Sequence, residues 1–517
     1  MSRFLLTCWS FTGHLFHGIN IGRALRERGH ECAFYSAPKT AQLFADEGFT
    51  FFPFEKVDEE AMSDIMFAPN RERSVTDTLK FTRTLQTYLL DTIPQQVEDI
   101  EPILASWKPD VLVDDGTILG PILVLWEKHH IPVATLDYFC CLVPGPDAPP
   151  FGLALPQPHN WYTRLLAQSV TLGTRLLTAG IRRRANEIRR SYGLPPLTTS
   201  INEFSGSVPL HLVLNTPELD YNRHDLPPTV RYAGPCCLWN RPNYEQSADW
   251  LQQLPRDKPW VHATEGTAHV TAPIVLRAAA QGLANLPMEV ILTGGKREPS
   301  ELDLGPIAPN IHAVRWVSHI DLLPLLDVMI TTGGAANVKS ALAAGVPLIV
   351  VPTEWDKPEI ARRVEESGAG LRLMPRHCTP RRMREAVERV LHTPSYRQNA
   401  QRIAGIYRFD LGRVTTEHHT RAPIVSHFQQ IAHALAGNHS GFIHKQNPAP
   451  KLSLLIWICQ QTRNRHCIRK AVVLKYLHRP RRRCHRRHAY PGFSQSPIEF
   501  LQRVRFAHAC SSRNVER

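Results

Sequence analysis

Two rhythms of apolar residues alternate along the first 440 positions. Short β-branched apolar runs read as buried strands of a parallel sheet. Between them lie longer stretches in which apolar residues recur every three or four positions, the period of an amphipathic helix. Residues 3–10 predict a strand, 11–14 a loop holding Gly13, and 15–28 a helix that turns Ile19, Ile21, Ala24 and Leu25 towards a core. Gly29 closes that helix and residues 31–35 predict the next strand, so the chain opens as a βαβ unit with a parallel sheet. Residues 54–74 are charged and irregular and predict a loop. Residues 75–107 predict a long helix interrupted at Pro94, followed by a strand over 109–115 that ends in Asp114 and Asp115. Further strands are expected over 131–136, 210–215 and 230–235, with helix over 161–192 and a Pro- and Gly-rich loop over 141–160.

The second half repeats the scheme. Strands are expected over 260–264, 288–293, 311–316, 327–331 and 346–351, and helices over 270–286, 337–344, 379–391, 395–407 and 415–435. Residues 327–371 carry the densest pattern: strand, Gly333-Gly334 turn, helix closed by Gly345 and Pro347, strand stopped by Pro352, then the polar cluster Glu354, Asp356 and Lys357. A glycine turn between a parallel strand and a helix N-terminus suits an anion, because free N–H groups and the helix dipole point the same way. Residues 265–267 (Glu-Gly-Thr) form a second such turn. The pattern therefore divides the chain into an α/β domain over 1–236, a linker over 237–258, a second α/β domain over 259–436 and a tail over 437–517.

Charge changes the picture only at the tail. The chain has 517 residues and a net charge of +13. Residues 441–517 alone hold 17 Lys and Arg against 2 Glu, so the remainder is close to neutral. The tail lacks helical or strand periodicity and is expected to be disordered or a foreign extension, so the basic balance does not point to a nucleic-acid partner for the folded part. The arginines at 182–184, 189 and 190 come without interleaved aromatics and are expected to form a solvated helix face. Eleven cysteines show no CxxC spacing, and the adjacent pairs Cys140-Cys141 and Cys236-Cys237 suit neither a metal nor a bridge. A reduced cytoplasmic protein without structural zinc is expected. No run approaches the ~20 apolar residues of a membrane span, and the first residues are too short an apolar stretch for a signal peptide.

The stretch 327–371 resembles the nucleotide-sugar signature of the UDP-glucuronosyl/UDP-glucosyl transferase superfamily, most nearly its bacterial antibiotic and carotenoid glycosyltransferases. The resemblance covers roughly residues 1–435. It implies a GT-B fold, two Rossmann-like domains with parallel sheets facing a cleft. Thr332 stands where that family has His, Ala336 at its Asn, Asn337 at its Ser/Thr, Ser340 at its Glu, and Asp356-Lys357 at its Asp-Gln. The segment GHLFHGINIGRALRERGH resembles the family's N-terminal motif and puts His14 at the catalytic base, with His17 in place of a Pro. The resemblance also implies an Asp at the end of the 109–115 strand that orients the base: Asp115, or Asp114 after a slip of one residue. Trp316 matches the Trp that stacks on the donor's base, and His319 stands at the Gln near the ribose. A core Trp is the plainer alternative for Trp316, and an ordinary loop histidine for His14.

The chemistry expected is glycosyl transfer. A histidine titrates near neutrality and a carboxylate partner fixes its tautomer, so His14 with Asp115 fits a general base. Backbone amides and helix N-termini at Thr267 and over Gly333, Gly334 and Asn337 fit a departing diphosphate without a metal. Thr332 offers one hydroxyl proton to a phosphate, and Asp356 and Lys357 are expected to hold sugar hydroxyls. The expected reaction is inverting transfer from a UDP- or dTDP-sugar, the only co-substrate and with no cofactor, to a hydroxyl of a small lipophilic acceptor. The alternative is a nucleotide-sugar-binding protein of the same fold with impaired catalysis.

Overall fold

A computed structural model describes residues 1–61, 86–236, 248–267, 272–295 and 297–416, with side chains to 407. Residues 62–74 of the expected loop, the first part of the 75–107 helix, the first half of the linker (237–247), and the helix and tail beyond 416 lie outside the described residues. Residues Met1–His439 form one compact unit.

Two all-parallel sheets organise that unit. The first has seven strands in the order β3-β2-β1-β4-β5-β6-β7: β1 Arg3–Thr7, β2 Glu31–Ser36, β3 Thr50–Pro53, β4 Val111–Asp115, β5 Val133–Asp137, β6 Leu210–Val213 and β7 Val230–Tyr232. The second has six in the order β10-β9-β8-β11-β12-β13: β8 Trp260–Thr264, β9 Glu289–Thr293, β10 Ile311–Val314, β11 Val328–Thr331, β12 Leu348–Val350 and β13 Gly370–Arg372. Both orders reverse direction at their first strand. The switch points lie between β1 and β4 and between β8 and β11, where parallel sheets open a crevice at the strands' carboxyl ends. The inner strands are buried on both faces, which is why β4, β5, β8 and β9 read as near-continuous apolar runs.

The helices follow the pattern with informative departures. Helix α1 (Thr12–Arg26) buries Leu15, Ile19, Ile21 and Leu25 against the first sheet. The helix expected over 75–107 is interrupted beside Pro94: a helical turn over Thr87–Asp91 ends at Thr92, and helix α2 (Ile93–Ser106) starts afresh with Pro94 in its first turn, where a proline gives up only an N–H with no intrahelical partner. The expected helix over 161–192 is two, α3 (Trp161–Leu177) and α4 (Ala179–Ser191), which meet at Thr178. The arginines of α4 also divide. Arg182, Arg183 and Arg190 are exposed, but Arg189 is buried and donates to Pro195 O, Leu123 O and Glu127. In the second sheet α5 (Ile274–Gly282), α6 (Ala335–Ala343), α7 (Lys357–Glu366), α8 (Pro380–His392) and α9 (Pro394–Thr416) complete the layers.

The sheets share a core. Phe139, Cys140 and Leu219 from the first half pack with Met329, Val338, Ile360 and Tyr407 from the second. Polar contacts cross the same boundary. Tyr407 donates to Asn215 Oδ1 at 3.0 Å, and Arg363 Nε reaches Asp220 Oδ1 at 2.6 Å while its guanidinium lies over Tyr221. Glu359, nearly fully buried on α7, accepts from the amides of Gly152 (2.8 Å) and Ala154 (2.7 Å). Arg362 Nε donates to Ala154 O at 3.1 Å. The loop over 141–160 is thus held by the second half.

Candidate active site

The first switch point carries His14, the expected base. Thr12–Arg26 starts one turn after β1, which places His14 in the helix's first turn beside the end of β4. His14 Nδ1 lies 2.6 Å from Asp115 Oδ2. The other oxygen of Asp115 accepts from Thr117 N (3.1 Å) and Thr117 Oγ1 (2.7 Å), and Asp115 N donates to Thr7 Oγ1. Asp114 points to the sheet's opposite face and accepts from the hydroxyls of Thr7 and Thr135. The alternation of a strand decides between the two acids. Asp115 faces the histidine, whereas burial and the neighbouring Asp115 charge push Asp114 well above the usual carboxylate range.

The electrostatics of the pair are mutual. Burial acts to lower the pKa of His14, but the Asp115 charge, its hydrogen bond and the charge of Asp356 outweigh it, and the net shift is upward. Burial acts to raise Asp115, yet His14 and the two Thr117 bonds hold it below its ordinary value. With Nδ1 committed to Asp115, Nε2 remains as the nitrogen able to take a proton. The Tyr138 ring meets His14 edge-on at 4.5 Å and also packs on His17 at 5.0 Å.

A lysine that the sequence reading did not single out ties this corner to the second domain. Lys339, on α6, is 0% exposed. Its Nζ donates to His17 Nε2 (2.8 Å), Tyr138 O (2.8 Å) and Leu214 O (2.9 Å). Burial and the adjacent ammonium keep His17 well below its usual pKa, so it stays neutral and accepts. The helix that begins at the glycine turn therefore grips the segment on which His14 rests. The one signal was a lysine on a helix whose other residues are apolar apart from Asn337 and Ser340, with a histidine at the position of a proline.

The second switch point holds the glycine turn. Gly333 has φ +95°, and a Cβ there would lie 2.8 Å from Val350 Cγ1, so only glycine fits. Gly334 is the N-cap of α6, has ordinary φ and faces open space. No side chain caps that N-terminus, leaving its first amides directed outwards. Asn337 sits on the first turn, with Nδ2 3.7 Å from the Cβ position of Gly266, so the turn at Glu265–Thr267 and the glycine turn meet side by side. Thr332 differs from expectation. It is buried and its hydroxyl donates to Glu265 O at 3.1 Å, so its proton tightens the two turns instead of pointing at a ligand. Glu265 caps α5 by accepting from Val275 N at 2.8 Å and pairs with Arg297 at 3.0 Å.

Trp316 is 45% exposed, which removes the core alternative. His319 opens a short helix after β10 and lies 5.7 Å edge-on from His262, and burial lowers its pKa to about 4. Asp356 is the N-cap residue of α7, raised by burial and lowered by Lys357 and by His14, whose charge it feels across the cleft. Lys357 is buried beneath the glycine turn, where burial lowers its pKa, and Nζ donates to Thr353 Oγ1 at 2.9 Å. Among the described residues no group of three or more His, Cys, Asp or Glu is arranged to hold a metal ion.

Two parallel α/β halves, each with its site residues at the switch point, define the GT-B class of glycosyltransferase. Residues 277–406 match the family described as Erythromycin biosynthesis protein CIII-like, C-terminal domain. The chain is 30% identical to 4'-demethylrebeccamycin synthase of Lentzea aerocolonigenes over 408 residues, 78% of this chain and 96% of that protein. In fold it is similar to the calicheamicin glycosyltransferase CalG4 (TM-score 0.59, 20% identity, 79% of this chain and 94% of that one). It is also similar to the glycosyltransferase VinC in complex with dTDP (TM-score 0.57, 20% identity, 83% and 99%). The chain belongs to the UDP-glycosyltransferase superfamily, with antibiotic-type relatives, and is a glycosyltransferase.

Proposed function

We propose that this glycosyltransferase moves a sugar, with inversion and without a metal, from a UDP- or dTDP-sugar to a hydroxyl of a small lipophilic acceptor. The observation that carries the reading is the His14–Asp115 contact at 2.6 Å on one side of the cleft, with an uncapped helix N-terminus after Gly333-Gly334 on the other. His14 Nε2 takes the acceptor's hydroxyl proton as the oxygen attacks the anomeric carbon. The bond from that carbon to the diphosphate oxygen breaks, and its electron pair leaves with the diphosphate. Asp115 stabilises the imidazolium and fixes Nδ1 as the donor. The amides at the start of α6, Asn337 and Thr267 receive the diphosphate. Trp316 stacks on the base beside His319, and Asp356 and Lys357 line the sugar. The bound dTDP of VinC supports a nucleoside diphosphate as the leaving group. The relatives named for rebeccamycin and calicheamicin support an acceptor of the antibiotic type.

The second reading, a binding protein with impaired turnover, draws on Thr332, whose hydroxyl is engaged by Glu265 O. One experiment separates the two. Nucleoside-diphosphate release is measured with UDP-glucose, dTDP-glucose and UDP-glucuronate against phenols, macrolides and carotenoid alcohols, with His14→Ala alongside. Acceptor-dependent release that collapses in His14→Ala is expected. Donor binding without release across the panel would favour the second reading.

A further inference from the structure

Helix α3 is amphipathic in the wrong sense for a surface helix. Its inward face is small and hydroxylated: Thr163, Ala167, Thr171, Thr174 and Thr178 recur at helical spacing, and Ala167 is its one buried residue. Its large apolar side chains face outwards. Trp161 is 79% exposed, Leu172 61% and Leu176 71%, with Tyr162, Leu165 and Leu166 more than half exposed. An isolated exposed leucine is ordinary, but a contiguous face of this kind on one helix marks an interaction surface.

Charge selects the occupant. Arg164 and Arg175, both exposed, flank the apolar face but are paired with Asp147 (3.9 Å) and Glu203 (3.5 Å), so the net positive charge of the rim comes from the next helix. On the next helix Arg182, Arg183 and Arg190 line a groove with Asn186 and Glu187. A second copy docking through this face would set that basic rim against itself. An anionic phospholipid surface satisfies both halves of the pattern. Leucines and an aromatic pair enter the acyl boundary, and guanidiniums meet phosphates.

We propose that α3 docks the enzyme on anionic lipid, its Trp161–Leu176 face lying in the membrane interface and the arginines of α4 against the headgroups. The helix lies on the bilayer and does not cross it, and among the described residues no helix is long and apolar enough to span one.

The test is flotation of the full chain with vesicles of phosphatidylglycerol in phosphatidylcholine, against phosphatidylcholine alone. Binding to the anionic vesicles is expected, and a variant with Leu165→Gln, Leu172→Gln and Leu176→Gln is expected to partition at least ~tenfold less. Its thermal unfolding and its nucleoside-diphosphate release with a water-soluble acceptor serve as fold controls. Independently of that variant, brominated lipid is expected to quench the emission difference between the native chain and Trp161→Phe. Equal binding by the triple variant, or no quenching of the Trp161 component, overturns the proposal and assigns any binding to the basic tail. A dimer that the same substitutions dissociate, without vesicle binding, overturns it in favour of a second copy.

Discussion

Asp115→Asn is the sharpest probe of the proposed mechanism, because the asparagine's orientation is dictated by what surrounds it. One oxygen of Asp115 accepts from both Thr117 N–H and Thr117 O–H. In the variant the amide oxygen must stay there, since an NH2 group would oppose the Thr117 N–H donor. The NH2 then faces His14 Nδ1, which has to accept. The ring proton moves to Nε2, the nitrogen that must receive the acceptor's proton. The substitution therefore keeps the shape and inverts the tautomer, for which a loss on the order of 10²–10⁴ in kcat is expected by analogy with the carboxylate of hydrolase triads. The pH dependence supplies the second number. His14 is raised in the native enzyme, so protonation silences the base from above its ordinary value downwards, and the acid limb of kcat/KM falls above about 6.5. Without the carboxylate, burial is the dominant remaining influence, and the limb moves to lower pH. The assay is nucleoside-diphosphate release across pH 4–9 for both proteins, at one acceptor. A residual rate within about threefold of native, or an acid limb that stays in place, would refute the assignment of the pair.

Other outcomes follow from the same geometry. Lys339→Met removes the donor shared by His17, Tyr138 O and Leu214 O. Each buried acceptor left unsatisfied costs about 1–3 kcal/mol, so a marked fall in melting temperature is expected, and an unchanged one would show that the contacts are not made in solution. Lys339→Arg is expected to rescue poorly, because a planar guanidinium does not match three acceptors around one ammonium. Gly333→Ala is expected to destabilise by more than about 1 kcal/mol through its positive φ and its contact with Val350, while Gly334→Ala leaves stability unchanged, both read by chemical denaturation. Trp316→Ala should leave the melting temperature alone and weaken donor binding by about 1–3 kcal/mol if the ring stacks on the base, measured by calorimetry with UDP and dTDP.

Much of the architecture was legible because parallel sheets buried on both faces leave continuous apolar runs. The strands at the sheet centres emerged within two residues of their observed bounds, apart from β1, which ends at Thr7, three residues before its expected end. The two missed strands, Thr50–Pro53 and Gly370–Arg372, are short edge strands with partly exposed residues, so their composition carried little signal. His14 and Asp115 were legible because a loop histidine and a strand-end acid sit at places that the topology sends to one crevice. The choice between Asp114 and Asp115 needed only the strand's register. Thr332 was misread because a hydroxyl names no direction, and the partner that takes its proton, Glu265 O, is 67 residues away in sequence. Lys339 escaped for a related reason: its three acceptors belong to the other domain, and two of them are backbone oxygens that no side-chain pattern reveals.

The grip of Glu359 on the amides of Gly152 and Ala154 has a consequence for recombining such enzymes. The loop over 141–160 takes its shape at residues 152–154 from a carboxylate on a helix of the second half. Exchanging halves between relatives at the boundary near residue 240 would separate that loop from its anchor, although neither half is cut within a sheet. A chimaera that inherits residues 151–155 without a carboxylate at position 359 leaves two amides unsatisfied and a loop free to take other shapes. The shape of this loop is thus a joint property of both halves, and transplanting it requires moving helix Lys357–Glu366 together with the loop it holds.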